Sequence, residues 1–155
     1  MNEQSLFDRY DVSPLLKKIV DGIAMSSAAN APFQVHLQNL NGSSPVFVLQ
    51  HIFTHPQTAT YNHVIVLNDA EEAAYFYNSI ESITGAMDLF YFPSSFKTSQ
   101  NFNLLNPSHV MLRTEALTKL SMGGNKKIVV TYPEAFFEKV IMPKTLQENI
   151  IQIKT

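Results

Sequence analysis

One stretch of this sequence has the layout of a phosphate-binding turn. Residues 33–38 alternate apolar and polar side chains, a tight turn follows at Gly42, and a helix start comes next. A working phosphate loop also needs several glycines, a Lys for the β- and γ-phosphates and a Ser or Thr for the metal. No Lys or Arg occurs between Gln34 and His63, so the helix start offers an anion only weak backbone contacts. We therefore predict no catalytic residue, no cofactor and a degenerate phosphate loop at Asn41, Gly42, Ser43 and Ser44.

Two further patterns resemble metal sites, but each has a simpler interpretation. Asp69 follows an apolar strand, as the metal-binding acid of a motor ATPase does, yet Glu72 three residues later completes a capping-box signal. His51 and His55 share a helix face by spacing, although Ile52 stands where a zinc protease has its catalytic Glu. We predict helix capping for Asp69, a solvated face for the two histidines, and no metal site.

Hydroxyl groups and cations gather in and after a long loop rich in Ser, Asn and Thr. The side chains of Ser94, Ser95, Lys97 and Arg113 are of the types that contact DNA phosphates, and neighbouring aromatic residues are able to stack on bases. The alternative is a loop anchored by buried aromatics. The net charge of −2 favours that alternative, because DNA-binding faces are basic. These four residues are the candidate DNA or partner contacts.

The residue types give little indication of covalent or acid–base catalysis. The chain has no cysteine, which excludes disulfides, thiolate zinc sites and cysteine nucleophiles. Glu134 and Glu138 lie one helical turn apart, but Lys139 is adjacent, and Glu134 forms a capping-box signal with Thr131. We predict that both glutamates are surface residues and that this chain is not an enzyme.

The composition is that of one globular domain. A chain of 155 residues with 45% apolar and 15% charged side chains is long enough to bury a core and too apolar to be disordered. Its first residues have no apolar run of the signal-peptide kind, and no stretch approaches the ~18 apolar residues of a membrane span. We predict a cytoplasmic protein with no membrane partner.

Helical spacing and capping signals predict the helices that must position these residues. The first begins at Ser13 and Pro14, and the second runs from Ser44 to Pro56. The expected inward-facing residues are Leu15, Leu16, Ile19, Val20 and Ile23 in the first helix; Val46, Leu49 and Phe53 in the second; Ala73, Phe76, Tyr77, Ile80 and Ile83 in the third, which ends at Gly85; Leu112, Ala116, Leu117 and Leu120 in the fourth; and Phe136 and Val140 in the fifth.

Four apolar segments between these helices read as strands: a half-exposed one at 33–38, one at 62–67 buried on both faces, and others at 89–92 and 127–130. Strands that alternate with helices predict an α/β fold of three layers around a mostly parallel sheet. We assign residues 1–32 to an N-terminal helical arm and linker, 33–145 to the α/β domain, and 146–155 to the start of a segment that leads into a following domain.

Four segments in this order and spacing carry a family resemblance: VIVLNDAEEAAYFYNSIES, LFYFPSSFK, VMLRTEALTKLS and IVVTYPEAFFEKV. Together they resemble the N-terminal module of the bacterial transcription-repair coupling factor (Mfd), which is similar to the helicase-fold damage-recognition subunit of nucleotide excision repair (UvrB). The resemblance runs from about residue 33 to the end. Its strongest parts are the PSSFK loop and the VTYPEAFFEKV segment.

The resemblance implies a degenerate RecA-like domain, similar to domain 1a of the repair subunit, that has lost its ATP site. Glycines and a Lys of the intact phosphate loop would fall on residues 39–45, where only Gly42 is compatible with them. The adjoining domain would bind UvrA, and the full-length protein would act on DNA and stalled RNA polymerase through a separate ATP-dependent motor. This chain would then support UvrA recruitment and contact other domains of the same protein, and the resemblance assigns no UvrA-contact residue to it.

Two alternatives from other classes stay open at this point. One is an active NTPase or helicase lobe with an atypical phosphate loop, and the other is a stand-alone DNA-binding α/β domain. The first requires Mg-ATP binding at the turn around Gly42. The second requires salt-dependent binding to duplex DNA through Lys97.

Overall fold

Residues 13–84, 88–96, 104–124 and 126–140 are described by a computed structural model of the chain. In this part the chain forms five helices and three strands. The residues group into two compact units. One contains residues 13–61 and 79–84, and the other contains residues 62–78 and those from 88 onward. The predicted helix end at Gly85 and the segment 146–155 lie outside the described residues.

The first unit contains helix α1 (Pro14–Ala29), which confirms the helix predicted from Ser13 and Pro14. Pro14 occupies the first turn, where its missing N–H costs no hydrogen bond. Leu16, Ile19 and Val20 of the predicted stripe are buried, whereas Leu15 is 58% exposed and was wrongly placed in it. The helix ends at Asn30, whose left-handed backbone (φ 50°) is a common way to close an α-helix.

Helix α2 (Ser44–Thr54) packs against α1 in the same unit. Val46 and Phe53 are buried as predicted, and Val48 and Ile52 join Leu16 and Ile19 in one apolar cluster. Leu49 packs against this cluster while staying partly exposed. The β-branched residues of α2 therefore contribute to the fold through packing rather than through helix propensity.

The strand predicted at residues 33–38 is wrong. These residues form neither helix nor strand, and all except Leu37 are exposed. The alternation has another cause, because Phe33, Val35 and Leu37 line a groove together with α1 and α2. The apolar side chains thus find neighbours on helices, while no described strand pairs with the segment.

The second unit contains a three-stranded parallel sheet of strands β1 (His63–Val66), β2 (Leu89–Tyr91) and β3 (Ile128–Thr131), in the order β1-β3-β2. All three lie where strands were predicted. In the register, Val64 and Phe90 both pair with Val129. Every residue of the central strand β3 is buried. β1 was wrongly predicted to be buried on both faces, because it is an edge strand of which Val64 and Val66 are more than half exposed.

Helices connect the parallel strands. Helix α3 (Ala70–Thr84) follows β1, α4 (Pro107–Ser121) follows β2, and the short α5 (Pro133–Phe137) follows β3. Asn106 caps α4, because its Oδ1 atom accepts a hydrogen bond from the Ser108 N–H at 3.1 Å. The described chain is therefore a mixed α/β fold with a small, open, parallel sheet.

Two predictions about the last helix are wrong. Thr131 does not cap α5, because its hydroxyl donates instead to the Phe92 carbonyl at 2.8 Å, inside the core. Phe136 and Val140 are 54% and 51% exposed, and Ala135 is the buried residue of this helix. A helix of five residues is too short to present a full apolar stripe.

The apolar stripes of α3 and α4 largely match the prediction. Ala73, Phe76 and Ile80 of α3 are buried, as is Ala116 of α4, while Leu120 is 38% exposed. None of the helices in the described part of the chain has both the length and the apolar composition that crossing a bilayer requires.

Candidate functional site

The carboxyl ends of β2 and β3 meet at the side chain of Arg113, which projects from α4. Only 4% of Arg113 is exposed. Its Nη1 atom donates to the carbonyl oxygens of Pro93 (3.0 Å) and Ala135 (2.9 Å), and Nη2 donates to the carbonyl of Glu138 (3.1 Å). The guanidinium also lies over the Phe92 ring, 4.0 Å from its centroid. One cation thus joins the segments that follow both strands.

Glu138 completes this arrangement from the end of α5. Its Oε1 atom lies 3.4 Å from Nε of Arg113. Its Oε2 atom accepts hydrogen bonds from the Ser94 hydroxyl and from the Ser95 N–H, both at 2.9 Å. The carboxylate therefore ties the loop after β2 to the chain that leaves α5.

Two further residues hold the same loop. The Tyr132 hydroxyl accepts a hydrogen bond from the Ser94 N–H at 2.8 Å, and Nδ1 of His109 lies 2.9 Å from the Ser94 carbonyl oxygen. We call this group the Arg113–Glu138 cluster; its members are Ser94, Ser95, His109, Arg113, Tyr132 and Glu138.

Charges in the cluster are adjusted by burial and by hydrogen bonds. Burial alone would raise the pKa of Glu138, but the hydrogen bonds from Ser95 and Ser94 and the charge of Arg113 outweigh it and lower that pKa. Burial lowers the pKa of Arg113, and the nearby carboxylate partly offsets this. Burial raises the pKa of Tyr132, and it raises the pKa of Tyr91 to about 12. The cluster is therefore built around an ion pair whose carboxylate is stabilised in its charged form by hydrogen bonds and by Arg113.

Three of the four predicted contact residues come together here, namely Ser94, Ser95 and Arg113. Lys97 lies outside the described residues. Glu138 was wrongly predicted to be a surface residue, because its partners are separated from it by long stretches of chain. Glu134 is exposed as expected. His109 and Tyr132 carried no local signal, since only the fold brings them to Ser94.

The degenerate phosphate-loop position forms an exposed turn before α2. Gly42 has a positive φ of 58°, and Asn41, Gly42 and Ser43 are all exposed. Ser44 donates to the Asn41 carbonyl through its N–H (3.2 Å) and through its hydroxyl (2.6 Å). The Ser44 hydroxyl is thus engaged within the turn, and the turn itself brings no cationic side chain to a phosphate.

The two predicted metal-like patterns have separate outcomes. Asp69 caps α3, because its Oδ1 atom accepts from the Glu72 N–H at 2.8 Å, and Glu72 in turn accepts from Asn68. His51 is buried, so the predicted solvated face is wrong for it, and its ring centroid lies 5.5 Å from that of His55. No group of three or more His, Asp or Glu side chains that suits a metal ion occurs among the described residues.

Comparisons with known proteins leave the family open. No protein-family model, curated protein or solved structure matches this chain. Function is therefore inferred from the residues and their geometry.

Proposed function

We propose that this chain is a non-catalytic, degenerate RecA-like module from the N-terminal part of a transcription-repair coupling factor. Its role is structural and interactive: it supports recruitment of UvrA by the adjoining domain in transcription-coupled nucleotide excision repair. RNA polymerase and DNA are partners of the full-length protein, whose ATP-dependent motor lies elsewhere in the sequence.

The sheet supports this proposal at the level of fold. A RecA-like domain needs parallel strands joined by helices, and β1, β2 and β3 are parallel with α3 and α4 between them. The proposal requires a larger parallel sheet with helices on both faces, and the described strands form only part of that sheet. Further strands would come from other parts of the full-length protein.

The engagement of Arg113 is the observation that carries the proposal. Ligands of open α/β sheets bind beyond the carboxyl ends of the strands, and Arg113 is the buried cation at that place. Its Nε, Nη1 and Nη2 atoms all contact acceptors of the protein itself. A guanidinium held in this way stabilises the loop and is not presented to a phosphate, which favours a scaffold over a nucleotide or DNA site.

The turn at residues 41–44 supports the same conclusion from the other unit. A phosphate loop surrounds its ligand with several backbone N–H groups and a Lys side chain. Here one glycine stands in an exposed turn whose serine hydroxyl is bonded to Asn41. Weak anion contact is the most that this arrangement offers.

The test uses the gene that encodes this chain. The proposal requires that the same reading frame encode a UvrA-binding domain and a motor domain. An in-frame deletion of codons 13–140 should abolish co-purification of UvrA with the full-length protein and should leave displacement of stalled RNA polymerase largely intact. A reading frame without a motor region would overturn the proposal, and so would a deletion that left UvrA recruitment unchanged.

A further inference from the structure

Residues 33–38 have backbone groups available for pairing. None of their N–H or C=O groups has a hydrogen-bond partner within the described part of the chain. In folded proteins the great majority of backbone groups are paired, either within secondary structure or with water. The segment is exposed except at Leu37, so another strand is able to reach these groups.

The side chains of the segment are arranged as on an extended strand. Phe33, Val35 and Leu37 line one groove with Ile19 of α1 and Ile52 of α2, and the cavity has a volume of about 410 Å³. Side chains two positions apart on an extended chain point to the same face. The intervening polar residues, Gln34, His36 and Gln38, are exposed. The segment thus has one apolar face supported by helices and one polar face.

No charged side chain protects residues 33–38 from pairing with another strand. Natural sheets guard exposed strands with Lys, Glu or Pro. No Asp, Glu, Lys or Arg occurs between Asp21 and Asp69, and residues 33–38 contain no proline. The apolar pattern is also symmetric about Val35, so that an antiparallel copy places Phe33 opposite Leu37 and Val35 opposite itself. The segment is therefore complementary to itself.

We propose that residues 33–37 form a self-pairing edge through which two copies of this chain associate as an antiparallel strand pair across a two-fold axis at Val35. Backbone hydrogen bonds supply the pairing, and the two apolar grooves lie side by side on one face. In this register Gln34 faces His36 of the second copy. The inference is independent of the proposed function, since it depends only on the groove and the unpaired segment.

A charge exchange at the exposed positions tests the register without touching the groove. The variant Q34K/H36K places like charges opposite each other at both symmetry-related positions, and the matched variant Q34K/H36E places opposite charges there. Sedimentation of the wild-type chain should show a concentration-dependent dimer. We expect Q34K/H36K to weaken dimerisation by about tenfold and Q34K/H36E to retain it, because directly opposed like charges are unfavourable.

Hydrogen exchange provides the second measurement. The amides of residues 33–37 should exchange more slowly as the wild-type concentration rises, and this protection should disappear in Q34K/H36K. Circular dichroism should show that both variants are folded. A chain that stays monomeric at its highest soluble concentration would overturn the inference. So would a dimer that Q34K/H36K leaves unchanged, or a monomer whose amides are protected only by an added strand-forming peptide.

Discussion

Nε of Arg113 and Oε1 of Glu138 lie 3.4 Å apart in a largely buried environment, although 25 positions separate the two residues in the chain. Each partner also bonds to backbone groups of the loop that follows β2 or to the end of α5. An ion pair with its remaining bonding positions satisfied in this way is costly to break from one side, because the other charge is left buried.

The variant E138Q should destabilise the protein. It removes the carboxylate charge while keeping the size of the side chain, so the buried Arg113 loses its counter-charge. We expect a loss of about 3 kcal/mol in the free energy of unfolding, measured by urea denaturation. The control is E134Q, the same change at an exposed position, which should cost about 0.5 kcal/mol or less. Equal effects of the two variants would contradict the structural role of the pair.

The contribution of Glu138 should depend on pH in a defined direction. Its pKa is lower in the folded state than in the unfolded state, so its stabilisation is present above the unfolded pKa and is lost as pH falls through the folded pKa. The stability difference between wild type and E138Q should therefore be full at pH 7 and should shrink below about pH 4.3, the ordinary Glu value. Thermal unfolding of both proteins at a series of pH values measures this stability difference. A difference that stays constant through the acid range would show that the carboxylate charge is not involved.

The central position of β3 gives a second stability prediction. Val130 is fully buried, and V130A should cost about 2 kcal/mol because it removes two methyl groups from a packed site. Val64 on the neighbouring edge strand is 57% exposed, and V64A should cost about 0.5 kcal/mol or less. Urea denaturation of the two variants under the same conditions compares them. If the edge substitution were the costlier one, the strand order β1-β3-β2 would be wrong.

Nucleotide binding should be absent. Isothermal titration of the chain with Mg-ATP should give no saturable heat in the micromolar range, because the turn around Gly42 lacks the groups that hold a triphosphate. The variant G42D serves as the comparison, since an acidic side chain there would repel phosphates. Micromolar binding that G42D abolished would instead support an active NTPase lobe.

Duplex DNA should bind weakly and without a strong dependence on Lys97. Fluorescence anisotropy with a short labelled duplex at two salt concentrations measures both affinity and salt slope. We expect the wild type to bind weakly, because Arg113, the other predicted cation, is engaged within the protein. K97A should then bind with the same low affinity as the wild type. A DNA-binding domain would instead show tight binding at low salt and a slope reduced by about 1 in K97A.

Much of the second unit follows from sequence pattern. The apolar runs that became β1, β2 and β3 and the cap at Asp69 are local signals, and each was located to within one or two residues. How deeply each strand is buried does not follow from local pattern, because it depends on the order of the strands in the sheet. β1 and β3 are similar in composition, yet among the described strands β3 alone has a neighbouring strand on each side.

The errors share a physical cause. Residues 33–38 have the alternation of a strand, but alternation shows only that one face is apolar, and here helices α1 and α2 supply its neighbours. Glu138 was misplaced because its hydrogen-bond partner Ser94 is 44 positions away. Arg113 and Ser94 were identified by chemical type, and their actual partners became visible only in the fold.

The ion pair between Arg113 and Glu138 also constrains how this sequence is able to evolve. Loss of either residue alone would be destabilising, because an unpaired charge would remain inside the protein. A substitution at one position should therefore require a compensating substitution at the other, and in an alignment of related sequences these two positions should vary together or not at all.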